Sequence, residues 1–301
     1  AVNIGQAIDL VSTDTSVNFL PLFHTAGVNL YTMPVFLFGG TSYVLRKFEP
    51  EQLFELIEAE KISQFFGVPA WGDAGVIVPW RVYQNYGDRR LLAEHFEAAR
   101  RWVDWIEREN PNLLWEKKRH NDYGDWLNAD TIVHEGWPKK GGEVPKAVFA
   151  TAFFAHSTEL VGKMAAVLGK DAEAARYREL AARIRAAFQQ AYVRPDGMIE
   201  GDTQAGYALA LHFDLLPEEQ RGRAFERMLA QFEPYGGHLS TGIHSTHRLM
   251  LELARRGRTD EAYRLLNLKT FPSWAFMLEN GATTIWERWD GYVKGRGFQN
   301  A

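Results

Sequence analysis

The spacing of apolar residues changes near residue 86, and this change predicts two regions of different secondary structure. Before this point, 41–48 and 63–70 are rich in the β-branched and aromatic side chains of strands, and 49–62 between them has the apolar spacing of an amphipathic helix. Residues 16–24 are also expected to be extended. The pattern therefore predicts a short α/β region that contains a strand–helix–strand unit.

Beyond residue 86 the apolar positions follow the helical period. In 88–109, Asp88 precedes a stripe formed by Leu92, Phe96, Ala99, Val103 and Ile106. A second long helix with one apolar face is expected at 148–169, and further helices are expected at 171–192, 204–213, 217–232, 245–256 and 259–267. Successive helices joined by loops of Trp, Gly and Asp favour a helical toroid whose loops form a site at one rim.

Composition restricts the partners of the chain. The 301 residues carry a formal net charge of −4 and no cysteine, so neither a basic surface for nucleic acid nor a disulfide is expected. The most apolar stretch, 27–45, is interrupted by Pro34, Gly39 and Gly40, so no membrane partner is expected. The first residues show no signal-peptide pattern, which favours a cytoplasmic location. The oligomeric state is left open.

The ten tryptophans, several of them beside Gly and Asp, are typical of a sugar-binding pocket. Ring faces pack on the C–H surfaces of sugars, and carboxylates bind hydroxyl groups; the alternative is that these rings fill a helical core. Glu287 lies between Trp286 and Trp289, a setting that suits a general base. The alternative for Glu287 is a surface ion pair with Arg288.

Two further carboxylates, Asp73 in WGDAG and Asp125 in GDW, follow glycines and are expected in loops that direct them inward. The alternative for both is to cap the following turn or helix. His238, His244 and His247 are of a type that binds metals, but no carboxylate is spaced to complete a tetrahedral set with them. No metal site and no cofactor are therefore expected.

The N-terminal region resembles the adenylate-forming acyl-CoA synthetases and ligases. The matching stretches are LPLFHTAGVNL, GGTSYVL, FEPEQLFELIEAEKIS and FFGVP, all within 20–69. The phosphate-binding loop, the YGxTE-like stretch, the ribose-binding Asp and the catalytic-Lys domain of that family have no match here. The resemblance implies an interior fragment of an AMP-binding domain, and the missing parts argue against adenylation activity. His24 matches a motif near the acyl pocket of that family, and the alternative, which we favour, is a buried structural histidine.

From Trp71 onward the chain resembles the α-L-rhamnosidases of glycoside hydrolase family 78. The resemblance rests on AWGDAGVIVPWRVYQNYGD, YGDWL, HLSTGIHST and PSWAFMLENGATTIWERWDG. It implies an (α/α)6 barrel that hydrolyses terminal α-L-rhamnosides with inversion. By this resemblance Glu287 is the general base, and the substrate-binding residues are Trp71, Asp73, Asp125, Trp126 and Trp286.

Two stretches of that family have no match in this sequence: the D-x-R-x-E-R-x-GW stretch with the general acid, and an SFNHY-like stretch with a sugar-binding His. The expected fold is mainly α, with an incomplete (α/α)6 barrel at 70–301 preceded by the short α/β segment 1–69, so that the chain is a chimera of two family fragments. The expected activity is hydrolysis of a rhamnose-containing glycoside or oligosaccharide, impaired by the lack of the acid. The alternatives are a sugar-binding remnant without turnover, an acyl- or nucleotide-binding protein, and a toroid glycosidase for other sugars.

Overall fold

A computed structural model of the protein describes residues 5–6, 9–19, 26–46, 50–65, 70–119, 122–134, 136–138 and 141–298. The chain divides into two compact units, 1–68 and 69–301, and each is described by itself.

The first unit contains a three-stranded parallel sheet with the order β2–β1–β3. Strand β1 (Thr15–Asn18) pairs with β2 (Thr41–Val44) and with β3 (Gln64–Phe65). Among the described residues between these strands are a π-helix (Ala26–Thr32) and two α-helices, α1 (Met33–Leu37) and α2 (Pro50–Ala59). Leu53 of α2 packs with Val17 of β1. The predicted strand–helix–strand order is therefore confirmed for β2, α2 and β3, whereas His24 lies outside the described residues.

The second unit is helical. Its helices are α3 (Ala70–Tyr86), α4 (Arg89–Glu109), α5 (Lys146–Val167), α6 (Asp171–Tyr192), α7 (Gln204–His212), α8 (Glu218–Ala230), α9 (Ile243–Arg255), α10 (Thr259–Asn267) and α11 (Trp274–Glu279). Two short antiparallel strands, β4 (Tyr292–Val293) and β5 (Gly297–Phe298), follow them.

These helices pack as successive hairpins. Within the described residues, α3 packs on α4, α5 on α6, α7 on α8 and α9 on α10, while α3, α5, α7 and α9 also pack on one another in that order. The helices α3, α5, α7 and α9 therefore form an inner row, covered on one side by their hairpin partners. Because 15 of its 22 residues are buried, α5 is enclosed on nearly all sides, and the prediction of a single apolar face was too narrow.

The helix α4 confirms the prediction of a helix at 88–109, both at its start and along its apolar stripe. Asp88 accepts a hydrogen bond from the backbone N–H of Arg90 (2.9 Å), and the five predicted stripe residues are the buried residues of the helix. The prediction of a loop around Asp73 was wrong, because Asp73 lies in the first turn of α3. Gly72, Gly75 and Pro79 interrupt the apolar spacing there, so the sequence pattern does not indicate a helix.

Candidate active site

Glu287 lines a cavity of about 590 Å³ in the second unit, formed by α9, α10, α11 and the segment 285–289. Most of the lining is apolar, and Trp286 and Trp289 contribute to it. Glu287 is exposed, and it is the only carboxylate among the described lining residues. The cavity therefore combines a solvated carboxylate with aromatic walls, which is the combination expected for a sugar-binding catalytic site.

The residues beside Glu287 are fixed by contacts with other segments. The indole N–H of Trp289 donates to the carbonyl of Thr241 (3.0 Å), and its ring packs edge-to-face on Trp274. The fully buried Asp290 accepts hydrogen bonds from the backbone N–H of Val133 (2.7 Å) and from Arg288 Nε (2.6 Å). These contacts hold the loop, so that Glu287 has a defined position at the cavity.

Arg288 forms its ion pair with Asp290 and also donates to the carbonyl of Thr131 (2.7 Å). The guanidinium thus belongs to the anchor of the loop, and this arrangement differs from the surface pair with Glu287 that the sequence offered as an alternative.

Asp125 is fully buried and joins two distant segments. Its carboxylate accepts hydrogen bonds from the backbone N–H groups of Gly242 (2.7 Å), His244 (3.1 Å) and Ser245 (3.0 Å), at the start of α9. These amides have no partner inside the helix, and a carboxylate is a favourable acceptor at this positive end. The alternative prediction, that Asp125 is a helix cap, thus describes these hydrogen bonds. The capped helix is α9, however, and not the turn or helix that directly follows Asp125 in the sequence.

Burial raises the pKa of Asp125 to about 6, although the hydrogen bonds from Gly242, Ser245 and His244 act in the opposite direction. The neighbouring residue, Trp126, strengthens the same junction, because its carbonyl accepts from the N–H of Ile243 (2.9 Å). The half-buried ring of Trp126 packs edge-to-face on Tyr123, with 4.9 Å between the ring centroids.

Asp73 points into the packed interior between three helices. Its Oδ1 accepts from Ser157 Oγ (2.7 Å) and from Trp102 Nε1 (3.2 Å), on α5 and α4 respectively. Burial raises the pKa of Asp73 to about 6, and the two hydrogen bonds oppose this change. The side chain of Trp71 lies outside the described residues.

The structure therefore brings together two of the sequence-predicted site residues, Glu287 and Trp286, in one cavity. Asp73, Asp125 and Trp126 are not among the described residues that line it, and Asp125 and Trp126 contact the start of a helix that does.

Sequence reasoning missed the contribution of α9 to the cavity. Ile243, Thr246, His247 and Met250 line one wall at helical spacing, and this periodicity could have indicated a common face. Burial lowers the pKa of His247 to about 4. His247 is therefore neutral near pH 7, when it can both donate and accept hydrogen bonds.

The two other histidines, His238 and His244, have separate surroundings. Nε2 of His238 lies 2.8 Å from Thr270 Oγ1, whereas the ring of His244 packs on Phe149 and Phe153. In the described ranges no three His, Asp or Glu side chains are grouped closely enough to hold a metal ion. None of the helices described there has both the length and the hydropathy that a membrane crossing requires.

The helical fold agrees with comparisons to known proteins. The bacterial α-L-rhamnosidase six-hairpin glycosidase domain matches residues 49–300. The chain belongs to this α-L-rhamnosidase family. The AMP-binding enzyme family matches residues 1–77, which overlap the rhamnosidase match. Both of the resemblances seen in the sequence are thus confirmed, as is the mainly helical fold.

Within the rhamnosidase family, the chain is 47% identical over 233 residues to an α-L-rhamnosidase from Streptomyces avermitilis, a match that covers 77% of this chain and 21% of the relative. The crystal structure of the Streptomyces avermitilis α-L-rhamnosidase complexed with L-rhamnose has a TM-score of 0.68 at 46% identity, and covers 76% of this chain and 21% of that chain. A feruloyl-CoA synthase from an Amycolatopsis species is 33% identical over 92 residues, or 30% of this chain and 19% of the relative. The chain thus spans about a fifth of the length of these relatives.

Proposed function

We propose that this chain is a rhamnosidase-type glycoside hydrolase that binds a terminal α-L-rhamnosyl group in the cavity and hydrolyses it with inversion. The observation that carries the proposal is the position of Glu287, at an apolar cavity with Trp286 and within a chain of the rhamnosidase family. In this proposal residues 70–301 are a partial six-hairpin catalytic domain, and residues 1–69 are a fragment of an AMP-binding domain.

Glu287 acts as the general base in this mechanism. Its carboxylate removes a proton from a water molecule, which attacks the anomeric carbon from the face opposite the leaving group. Trp286 offers a ring face to the C–H surface of the sugar. The contacts of Trp289 and Asp290 keep the loop in place, so that the carboxylate does not have to be positioned again in each turnover.

A second function is favoured by a specific observation. An inverting glycosidase uses two carboxyl groups, roughly 6.5–9.5 Å apart, but Glu287 is the only carboxylate in the described lining. Without a second carboxyl group, the described lining offers no carboxylic acid to protonate the leaving oxygen. The alternative is therefore a domain that binds rhamnose without cleaving it.

The test is release of p-nitrophenol from p-nitrophenyl α-L-rhamnoside by the whole chain. This substrate has a good leaving group and therefore depends little on a general acid. We expect Glu287→Gln to lower the rate about 10²–10⁴-fold, the usual contribution of a general base. The matched control is Glu279→Gln, because Glu279 is exposed, pairs with Lys269 and is not among the cavity residues.

Equal rates in wild type and Glu287→Gln would refute the role of Glu287. Absence of turnover combined with a rise in melting temperature on addition of L-rhamnose would support the binding domain. If L-rhamnose also left the melting temperature unchanged, neither function would stand.

A further inference from the structure

A second cavity, of about 290 Å³, lies between α5 and α6, and its lining shares no residue with the cavity at Glu287. Small residues line it: the buried Gly162, Ala174 and Ala181 form its floor, and Ala166 and Ala182 are exposed at its edge. Its cationic side chains are Lys163 from α5 and Arg178 and Arg185 from α6. We call this cavity the α5–α6 groove.

The two arginines of the groove lack the acidic partners that usually accompany helical arginines. The positions three and four residues from Arg178 and Arg185 on α6 hold alanines, Phe188 and Gln189, so the helix supplies no carboxylate on this face. Within the described parts of the chain, no carboxylate oxygen lies within 4.0 Å of either guanidinium. Both positive charges are therefore available to a ligand.

One guanidinium atom also has an unmet hydrogen bond. Nε of Arg185 is buried, and no acceptor for it occurs in the described residues. A buried donor without a partner costs free energy, and a shift of the Arg185 side chain that brings it to an acceptor in the groove would recover that cost. The only carboxylate in the described lining, Glu159, pairs with Lys163 at 2.6 Å. The groove therefore has a net charge of about +2 near neutral pH.

We infer that the α5–α6 groove is a binding site for an oxyanion group, carried by a small molecule as phosphate, sulfate or sugar carboxylate. Arginine suits this class of ligand, because its planar group donates two parallel hydrogen bonds to such an anion. Arg178 and Arg185 lie seven residues apart, so their Cα atoms are about 10 Å apart along α6, and both side chains line the groove. The small residues of the floor leave the space that the anion needs.

The experiment is equilibrium dialysis of the whole chain against radiolabelled sulfate, with chloride holding the ionic strength constant. We expect saturable binding at one site per chain. Arg178→Gln and Arg185→Gln should each weaken it about 3–10-fold, the range for a charge-assisted hydrogen bond that is partly exposed to solvent. The matched control is Arg183→Gln, on the exposed side of the same helix and outside the groove.

A third variant tests the site without removing an arginine. Ala182 is exposed and lies four residues after Arg178 and three before Arg185, so the carboxylate of Ala182→Glu would pair with both. We expect this variant to keep its helical circular dichroism and to lose sulfate binding. Competition by phosphate alone would define a phosphate or sulfate ligand, and competition by glucuronate as well would extend the class to acidic sugars.

Two results would overturn the inference: no saturable sulfate binding by the wild-type chain, or equal binding constants in wild type, both arginine variants and Ala182→Glu. The outcome is independent of rhamnoside hydrolysis, because the groove shares no lining residue with the cavity at Glu287.

Discussion

At the scale of single residues, burial raises the pKa values of two carboxylates, Asp73 and Asp125, to about 6. Folding raises the pKa of Asp73 from 3.8 to about 6, because burial disfavours the charged form. Between these values the folded chain binds more protons than the unfolded chain. The contribution of Asp73 to the free energy of unfolding therefore falls as the pH rises from about 4 to about 6.

We expect Asp73→Asn to make the free energy of unfolding depend less on pH between about pH 4 and pH 6. Both hydrogen bonds to Asp73 end on one oxygen, Oδ1, and the amide oxygen of asparagine can accept both, so the substitution mainly removes the ionisation. The decrease in the free energy of unfolding between pH 4 and pH 6 should be smaller by about 2–3 kcal/mol than in the wild type, as measured by urea unfolding across this range.

The control for this prediction is Asp88→Asn. Asp88 is partly exposed, and its hydrogen bonds with Arg90 lower its pKa to about 2, so it does not titrate in the same window. An equally steep decline in wild type and Asp73→Asn would show that the carboxylate of Asp73 is not the cause.

The same residues show how far sequence reasoning reaches. The setting of Glu287 was predictable, because Trp286 and Trp289 are its neighbours in sequence. The hydrogen-bond partners of Asp125 were not predictable, because Gly242 lies 117 residues away. The sequence of a helix does not indicate which distant residue will cap it. Local spacing identifies a carboxylate as important, whereas only the tertiary fold shows which groups it contacts.

At the scale of elements, the junction between α9 and the segment 122–129 depends on Gly242. A side chain at this position would overlap the carbonyl oxygens of Asp125 and Trp126, which lie directly against the backbone. Glycine thus permits the close approach that lets Asp125 reach the amides of α9.

We expect Gly242→Ala to lower the free energy of unfolding by more than about 2 kcal/mol, because backbone atoms on both sides of the junction must separate. It should also weaken any effect of L-rhamnose on the melting temperature, since α9 lines the cavity. Urea unfolding and thermal shift measure the two effects.

Gly222→Ala serves as the comparison. Gly222 lies within α8 with no atom within 4 Å of the added methyl group, so alanine should stabilise the helix by about 0.5–1 kcal/mol. Similar stability of the two variants would contradict the close approach at Gly242.

Helices with a regular apolar stripe were predicted well, and α4 and α6 show this. The helix α3 was missed because Gly72, Gly75 and Pro79 are unfavourable in helices. Its packing against α4 and α5 compensates for that preference, and tertiary packing of this kind cannot be recognised from residue spacing alone.

At the scale of the whole molecule, the two units differ in the size of their cores. Among the described residues, the first has a small cluster of buried apolar side chains, Val17, Phe19 and Leu53, whereas the core of the second extends through all of its hairpins. Small cores give marginal stability. The first unit is therefore expected to unfold at a lower concentration of urea than the second.

The distribution of tryptophan makes this expectation measurable. All ten tryptophans lie at residue 71 or later, so their fluorescence reports on the second unit, whereas far-ultraviolet circular dichroism reports on both. We expect the dichroism to begin its transition at lower urea than the fluorescence. Coincident transitions would mean that the two units unfold together.

The carboxylate of Asp125 also has a consequence for the order in which the chain acquires its structure. The loop that it closes to Gly242 contains α5, α6, α7 and α8. Contacts between residues so far apart in sequence are costly to form early, because the chain between them must first become compact. We therefore expect the first turn of α9 to receive its cap late in folding, after the hairpins inside the loop, and the wall of the cavity beside Glu287 to be among the last parts of the second unit to form.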